Sequence, residues 1–178
     1  MVRADQVLLE GRQSVRGLRD EVTSDDDLQA LLKSCGEQLA QDYGTPFTFS
    51  MHGEPIHIDS TVSREMYYIG REAISNAFKH SRAAKIEAEL SYEESFVRLT
   101  VRDNGIGVEP AVLDTGRIGH WGFPGMRERT ESIGGQLSIR SDVGSGTEVT
   151  LTVPVSLVNP PGRKGSFWRR IWIFAKRP

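Results

Sequence analysis

Hydrophobic residues recur with two different periods along the chain, and the change of period separates predicted helices from predicted strands. Apolar residues three or four positions apart predict amphipathic helices in three segments: 5–19, 24–43 and 61–80. Alternation of apolar and polar residues predicts strands with one buried face in four segments: 85–91, 96–103, 136–142 and 147–153. A further strand is predicted over 46–51 and a short extended piece at 56–58, and shorter helices are expected near Pro110 and over 126–133.

The order of these elements predicts an α/β (α+β) two-layer sandwich. Its sheet is expected to be mixed and mostly antiparallel, with the helices packed on one face. The chain has 178 residues, which suits one domain with a core that needs no disulfide. Segment 5–19 fits two interpretations equally well, a helix on the domain's own core or the end of a dimerisation helix.

Charge is distributed unevenly, although the net charge of the whole chain is only −2. That balance gives no argument for nucleic-acid binding. Cations and aromatic residues are interleaved near the C-terminus, a pattern found in membrane-surface and nucleic-acid contacts, but a tail that is loose or packs on its own domain is the simpler interpretation. A signal peptide and a membrane span are both missing from the pattern, so we expect a soluble, cytoplasmic chain.

The single cysteine, Cys35, excludes an intramolecular disulfide and is expected in the core.

Helix 61–80 carries an unusual stripe of polar residues. Glu72, Asn76, Lys79 and His80 are three or four positions apart, so they share one face of the helix. An acid, an amide, an ammonium and an imidazole on one face can together hold a metal ion, its waters and a phosphate chain. For this helix taken alone, a solvated polar face is the simpler interpretation.

Three glycine-containing loops carry further chemistry. The first, Asp103 to Gly107, follows a predicted strand, and it suits either a tight turn or a ligand site with a fixed carboxylate. The second contains Gly122 and Gly125 before a predicted helix, where backbone amides can bind an anion. The third contains Gly144 and Gly146 before the last strand. Each signal is weak by itself.

In this order, the four motifs resemble the ATP-binding domain of the histidine kinase, gyrase, Hsp90 and MutL superfamily, over about residues 59–154. Sequences 71–81 and 125–129 resemble the sensor histidine kinases related to nitrate and degradative-enzyme sensors, and 10–19 is similar to the end of their dimerisation helix. The resemblance implies a Bergerat-type ATP-binding fold. It also implies a division into three parts: a dimerisation-helix end and linker over 1–22, an ATP-binding catalytic domain over 23–156, and a basic aromatic tail over 157–178.

The resemblance assigns the base end of an ATP site to two loops. Asp103 would accept a hydrogen bond from the adenine amine, with Thr147 nearby through water. Gly105 and Gly107 would let the backbone approach the base and sugar, and Ile106 between them belongs to the same ATP-binding set.

The resemblance also assigns a phosphate end. Asn76 would ligate Mg²⁺ through its amide oxygen, and the catalytic residue Glu72 would orient Mg²⁺ and its waters. Lys79 and His80 would face the phosphates. A lid would close on them through three further ATP-binding residues: Gly122, Gly125 and Met126.

The implied reaction is transfer of the γ-phosphoryl group of ATP to a histidine. That histidine would lie on an upstream dimerisation and phosphotransfer domain absent from this chain, because none of the chain's histidines has an acceptor context: His52, His57, His80 and His120. Implied partners are that domain, a response regulator receiver domain and a second copy of the parent protein. The parent protein itself would be either cytoplasmic or anchored in the cell membrane. Two alternatives stay open: a serine kinase of the anti-sigma-factor type, and a nucleotide-binding interaction module without activity.

Overall fold

The computed structural model describes residues 25–108 and 122–158. The predicted helices over 5–19 and near Pro110 lie outside these ranges, as does the basic tail except for its first two residues, 157 and 158. The described helices are α1 (Asp25–Tyr43), α2 (Ser60–His80), α3 (Gly122–Ser132) and α4 (Val155–Val158). The described strands are β1 (Phe47–His52), β2 (Ile86–Tyr92), β3 (Phe96–Asp103), β4 (Gln136–Asp142) and β5 (Gly146–Pro154).

The five strands form one sheet in the order β1-β2-β3-β5-β4. Strands β1 and β2 are parallel, and the other three pairings are antiparallel. The prediction of a mixed, mostly antiparallel sheet is therefore confirmed. Because β5 lies between β3 and β4, the end of β3 meets the β4–β5 hairpin, which is more than thirty residues away in sequence, at one end of the sheet.

The core lies between the sheet and the helices. Strand β2 alternates buried and exposed residues at its start, and Ile86, Ala88 and Leu90 face the helices. Helix α2 contributes the largest set of buried residues and packs on the sheet, while α1 packs on α2 and β1. Gly70 permits this close packing, since a side chain there would meet those of Leu32 and Leu99.

Helix ends follow ordinary capping chemistry. Asp59 caps α2, because its Oδ1 accepts a hydrogen bond from the Thr61 amide at 2.9 Å. Gly44 ends α1 with a φ of 71°, and its amide donates to the Ala40 carbonyl. None of the helices in the described part of the chain combines the length and hydrophobicity that crossing a membrane requires.

Four details differ from the sequence expectation. Helix α3 begins at Gly122 rather than at 126, because Pro124 falls in the first turn, where its missing N–H costs no hydrogen bond. The piece 56–58 forms no strand, and α4 was not predicted because four residues do not define a period. Cys35 is half-buried on α1 rather than in the core. Burial raises the pKa of its thiol, and the charge of Arg71 opposes that rise.

Candidate functional site

Three polar side chains lie in a row at one end of the sheet, across three adjacent strands. Asp103 on β3 is paired with Thr147 on β5, and Thr147 is paired with Ser141 on β4. All three residues are half-buried. Each continues the buried face of its strand, so their side chains lie on the same side of the sheet as the helices. We call these three residues the polar row.

Asp103 is held by backbone amides. Its Oδ1 accepts a hydrogen bond from the Gly105 amide at 2.9 Å, and the Thr147 amide also donates to the carboxyl group. Burial raises the pKa of Asp103, and these two hydrogen bonds oppose the rise. The carboxyl group therefore has a fixed position and is partly withdrawn from water.

Ser141 connects the polar row to its surroundings through three contacts. Its Oγ accepts a hydrogen bond from the Val108 amide at 2.7 Å and donates to the Gly146 carbonyl at 3.0 Å. It also lies 2.9 Å from Oγ1 of Thr147. Ser141 thus joins the loop after β3 to the β4–β5 hairpin, a role that its sequence position does not reveal.

The loop from Asp103 to Gly107 is a tight turn packed against backbone on two sides. A side chain at Gly105 would overlap the Ser81 carbonyl at the end of α2, and Ile106 donates its amide to that same carbonyl at 2.8 Å. The Ile106 carbonyl in turn accepts from the Gly144 amide at 2.8 Å. The turn interpretation of this loop is therefore confirmed, and Gly105 is needed for packing whether or not a ligand is bound.

A cavity of about 410 Å³ lies between α2 and α3. Its lining includes four of the predicted site residues: Glu72, Lys79, Gly125 and Met126. The same lining has four residues to which the sequence assigned no role: Tyr68, Arg71, Ser75 and Arg129. Three of its eight residues are cationic, and only one is acidic. We call this cavity the cleft.

The remaining predicted residues lie outside the lining of the cleft. Asn76 stands beside it on α2, where its Nδ2 donates to Oε1 of Glu72 at 3.2 Å. His80 is exposed at the last position of α2, and Gly122 is the first residue of α3. The others belong to the polar row and its loops: Asp103, Gly105, Ile106, Gly107 and Thr147. Helix α2 connects the two groups, because Ser81, which touches Gly105, directly follows His80.

Arg129 is fixed at the wall of the cleft by two neighbours. Its Nη1 lies 2.7 Å from Oε2 of Glu65, and its guanidinium lies 4.8 Å from the centre of the Tyr68 ring. Glu65 is largely buried, with 14 % of its side chain exposed, so this pair loses less to solvent than a fully exposed one. Helical spacing could have identified Tyr68, which lies four residues before Glu72, but the partner on α3 required the tertiary structure.

The Glu72–Asn76 pair has the right chemistry for Mg²⁺. Donation from Nδ2 leaves the amide oxygen of Asn76 and the second carboxylate oxygen of Glu72 available, and Mg²⁺ prefers such hard oxygen ligands. No group of three or more histidine, cysteine or acidic side chains that could enclose a metal occurs within 25–108 and 122–158. A site of this kind suits an ion that keeps most of its waters.

Residues 61–157 match the family described as histidine kinase-, DNA gyrase B-, and HSP90-like ATPases. The nitrate/nitrite sensor protein NarX of Escherichia coli K12 is 33% identical over 141 residues, and the protein of that name in Shigella flexneri matches equally well. The alignment covers 79% of this chain and 23% of the sensor, so the chain spans under a quarter of these relatives.

Solved structures with the same fold come from a blue-light-activated histidine kinase of Erythrobacter litoralis. Its histidine kinase domain aligns with a TM-score of 0.59 at 20% identity, covering 74% of this chain and 68% of that one. A second structure of the same kinase aligns with a TM-score of 0.61 at 21% identity, covering 72% and 42%. At this identity the likeness establishes the fold, and the predicted Bergerat-type architecture is confirmed.

Proposed function

This chain belongs to the histidine kinase-, DNA gyrase B-, and HSP90-like ATPase family, and we propose that its polar row and its cleft are the two ends of one ATP site. It is an ATP-binding domain of the sensor histidine kinase type, as the motifs predicted. The serine kinase and non-enzymatic alternatives are not favoured. One observation carries the proposal: α2 supplies one wall of the cleft and ends against the loop that holds Asp103.

At the base end, Asp103 and Thr147 offer oxygen acceptors to the adenine amine. A half-buried carboxylate held by two backbone amides discriminates between bases better than a mobile one, because its position is fixed before the ligand arrives. Ile106, with 50% of its surface exposed beside this loop, offers apolar surface to the base. Gly107 has a φ of 67° and lies against the β4–β5 hairpin, where a side chain would overlap the Asp142 carbonyl.

At the phosphate end, positive charge surrounds the cleft. Arg71 and Lys79 project from α2, and Arg129 faces them from α3. His80 follows Lys79 at the end of α2, outside the lining of the cleft, and is proposed to face the phosphates from there. Cations held on two walls stabilise the charge of a triphosphate, and they continue to stabilise it as charge moves during phosphoryl transfer. Gly122, Gly125 and Met126 place the start of α3 at this end of the site.

Asn76 and Glu72 are proposed to hold Mg²⁺ through their side-chain oxygens. The ion, when bound, neutralises phosphate charge and aligns the groups that react. Glu72 orients the Asn76 amide through the 3.2 Å hydrogen bond, so that the amide oxygen rather than the amide nitrogen is available to a cation.

The proposed reaction transfers the γ-phosphoryl group of ATP to a histidine of an upstream dimerisation and phosphotransfer domain. A response regulator receiver domain then accepts it, and the parent protein acts as a homodimer. Residues 1–22 are proposed as the end of the dimerisation helix, 23–156 as the catalytic domain and 157–178 as a tail. This chain alone is expected to bind ATP without phosphorylating itself.

Isothermal titration of ATP, with and without Mg²⁺, tests the proposal. We expect Mg²⁺ to tighten binding to the wild-type chain, and Asn76→Ala to remove most of that gain. Gln38→Ala is the matched control, because it removes an exposed amide on α1 that does not line the cleft. A folded chain that gives no signal with millimolar ATP would refute the proposal.

A further inference from the structure

The hydrogen-bond partners of Ser141 determine which way the Thr147 hydroxyl can point. A serine hydroxyl has one hydrogen to donate and two lone pairs to accept with. Two of its three neighbours have fixed roles: the Val108 amide can only donate, and the Gly146 carbonyl can only accept. The single hydrogen of Ser141 therefore goes to Gly146.

The third neighbour of Ser141 must then be a donor. Thr147 Oγ1 lies 2.9 Å away, and all three contacts of Ser141 are satisfied together only if Thr147 donates its hydrogen. Once that hydrogen is used, Thr147 Oγ1 presents only lone pairs to the rest of the polar row. Next to it, Asp103 presents carboxylate oxygens. Both residues thus act as acceptors toward anything that lies against them.

We infer that Ser141 is a positioning residue for base selectivity, which acts by holding Thr147 as an acceptor beside Asp103. Two neighbouring acceptors suit a base with an amino group at position 6 and disfavour a base with a carbonyl oxygen there, which would be left facing lone pairs. A bridging water gives the same preference, because its two hydrogens would go to Asp103 and Thr147 and its lone pairs would face the base. This inference rests on the proposed function, since it requires a purine nucleotide at the polar row.

Inosine triphosphate is the appropriate probe, because it resembles ATP but has a carbonyl oxygen in place of the amine at position 6 and a hydrogen on N1. The N1 hydrogen is common to all titrations of this nucleotide, so a change in the ratio between variants reports on the Thr147 hydroxyl. We expect the full chain to bind ATP more tightly than inosine triphosphate. In Ser141→Ala the Thr147 hydroxyl is free to turn and donate to the carbonyl oxygen. The ratio of the two dissociation constants should then fall by about fivefold, which is the effect of one neutral hydrogen bond.

Three further variants separate orientation from loss of structure. Ser141→Thr keeps the hydroxyl and should retain the wild-type ratio. Thr147→Val removes the acceptor and should lower the ratio as Ser141→Ala does, with no further change when the two are combined. Ser138→Ala is the matched control, because Ser138 lies on the same strand but on the exposed face.

The outcomes are distinct from those that test the proposed function. If the wild-type chain binds neither nucleotide, ATP binding itself is wrong. If it binds both, and Thr147→Val keeps the wild-type ratio, the inference is overturned whether or not Ser141→Ala folds. If Thr147→Val lowers the ratio but a folded Ser141→Ala does not, Ser141 does not orient Thr147 and the inference is again overturned.

Discussion

The polar row and the cleft are proposed to bind two parts of the same ligand, the first through neutral and acidic hydrogen-bonding groups and the second mainly through cations. The polar row consists of short side chains on three paired strands, and its members are connected to backbone amides and carbonyls at 2.7–3.0 Å. The cleft is lined by residues of two helices, four of them with long charged side chains, and Arg129 on α3 is held there by Glu65 on α2. The first region is fixed by sheet register, whereas the second depends on how α2 and α3 face each other.

The glycines of the two regions show the same contrast. At Gly146 a side chain would overlap the Asp103 carbonyl, and at Gly105 it would overlap the Ser81 carbonyl. At Gly125, on the cleft, a side chain would meet nothing within 4 Å. We infer that the base end tolerates little change in its backbone, while the phosphate end has room for a ligand.

The largest expected effect is on stability. Gly146→Ala should lower the free energy of unfolding by about 2–4 kcal/mol, because Gly146 has a φ of 87° and its neighbour is backbone that cannot move aside. Gly125→Ala is the matched variant and should be neutral or stabilise by up to about 1 kcal/mol. Urea unfolding measures both, and equal effects would contradict the contrast between the regions.

Arg129 provides a test of the cleft. Arg129→Met keeps much of the apolar stem but removes the charge, and it should weaken ATP binding by about tenfold, as expected for one charge-assisted contact. Adenosine binding should not change, because adenosine carries no phosphate. Titrations with both ligands measure the two effects. Equal losses for the two ligands would show that Arg129 acts on the fold rather than on the phosphates.

A smaller effect is expected from the residue that holds Arg129. Glu65→Gln keeps the shape of the side chain but weakens the 2.7 Å pair, so Arg129 would spend less time at the wall of the cleft. ATP binding should weaken by about two- to threefold, because Arg129 keeps its contact with the Tyr68 ring and only its partly exposed ion pair is weakened. In the Arg129→Met background the same change should have no effect on ATP binding. A full effect there would mean that Glu65 acts through another residue.

The smallest effect is a pH dependence at the polar row. The pKa of Asp103 is raised in the folded chain above its ordinary value of 3.8, so the folded chain binds that proton more tightly than the unfolded chain does. The resulting stabilisation is present below pH 3.8 and is lost as the pH rises through the raised value. Asp103→Asn lacks it, so the stability of the wild type relative to Asp103→Asn should decrease as the pH rises above 3.8. Urea unfolding across this range checks the sign, and a relative stability that increases instead would contradict it.

Much of the molecule could be predicted from local sequence. The spacing of apolar residues placed α2 within one residue of its observed start, and alternation identified β2, β3, β4 and β5. The four motifs identified the family, because each combines a chemical group with a backbone requirement that the sequence shows directly. The aspartate and glycines of the loop after β3 are an example, since turn chemistry is local.

The rest depended on contacts between distant segments. The strand order brings Ser141 beside Thr147 and Thr147 beside Asp103, and no local pattern encodes that order. Arg129 and Tyr68 meet only because α3 packs on α2. Glycine is required at 105 because a side chain there would overlap the Ser81 carbonyl at the end of α2, more than twenty residues earlier in the chain. The sequence suggested a ligand as the reason for this glycine, and the structure shows a packing contact as well.

The central claim is that the polar row and the cleft are two ends of one ATP site, and a single set of titrations tests it. ATP, adenosine and inorganic tripolyphosphate would each be titrated into the wild type, Asp103→Asn and Lys79→Met. We predict that Asp103→Asn weakens ATP and adenosine by the same factor, about tenfold, without affecting tripolyphosphate. Lys79→Met should weaken ATP and tripolyphosphate without affecting adenosine. If either variant binds ATP as tightly as the wild type does, the two regions do not form one site.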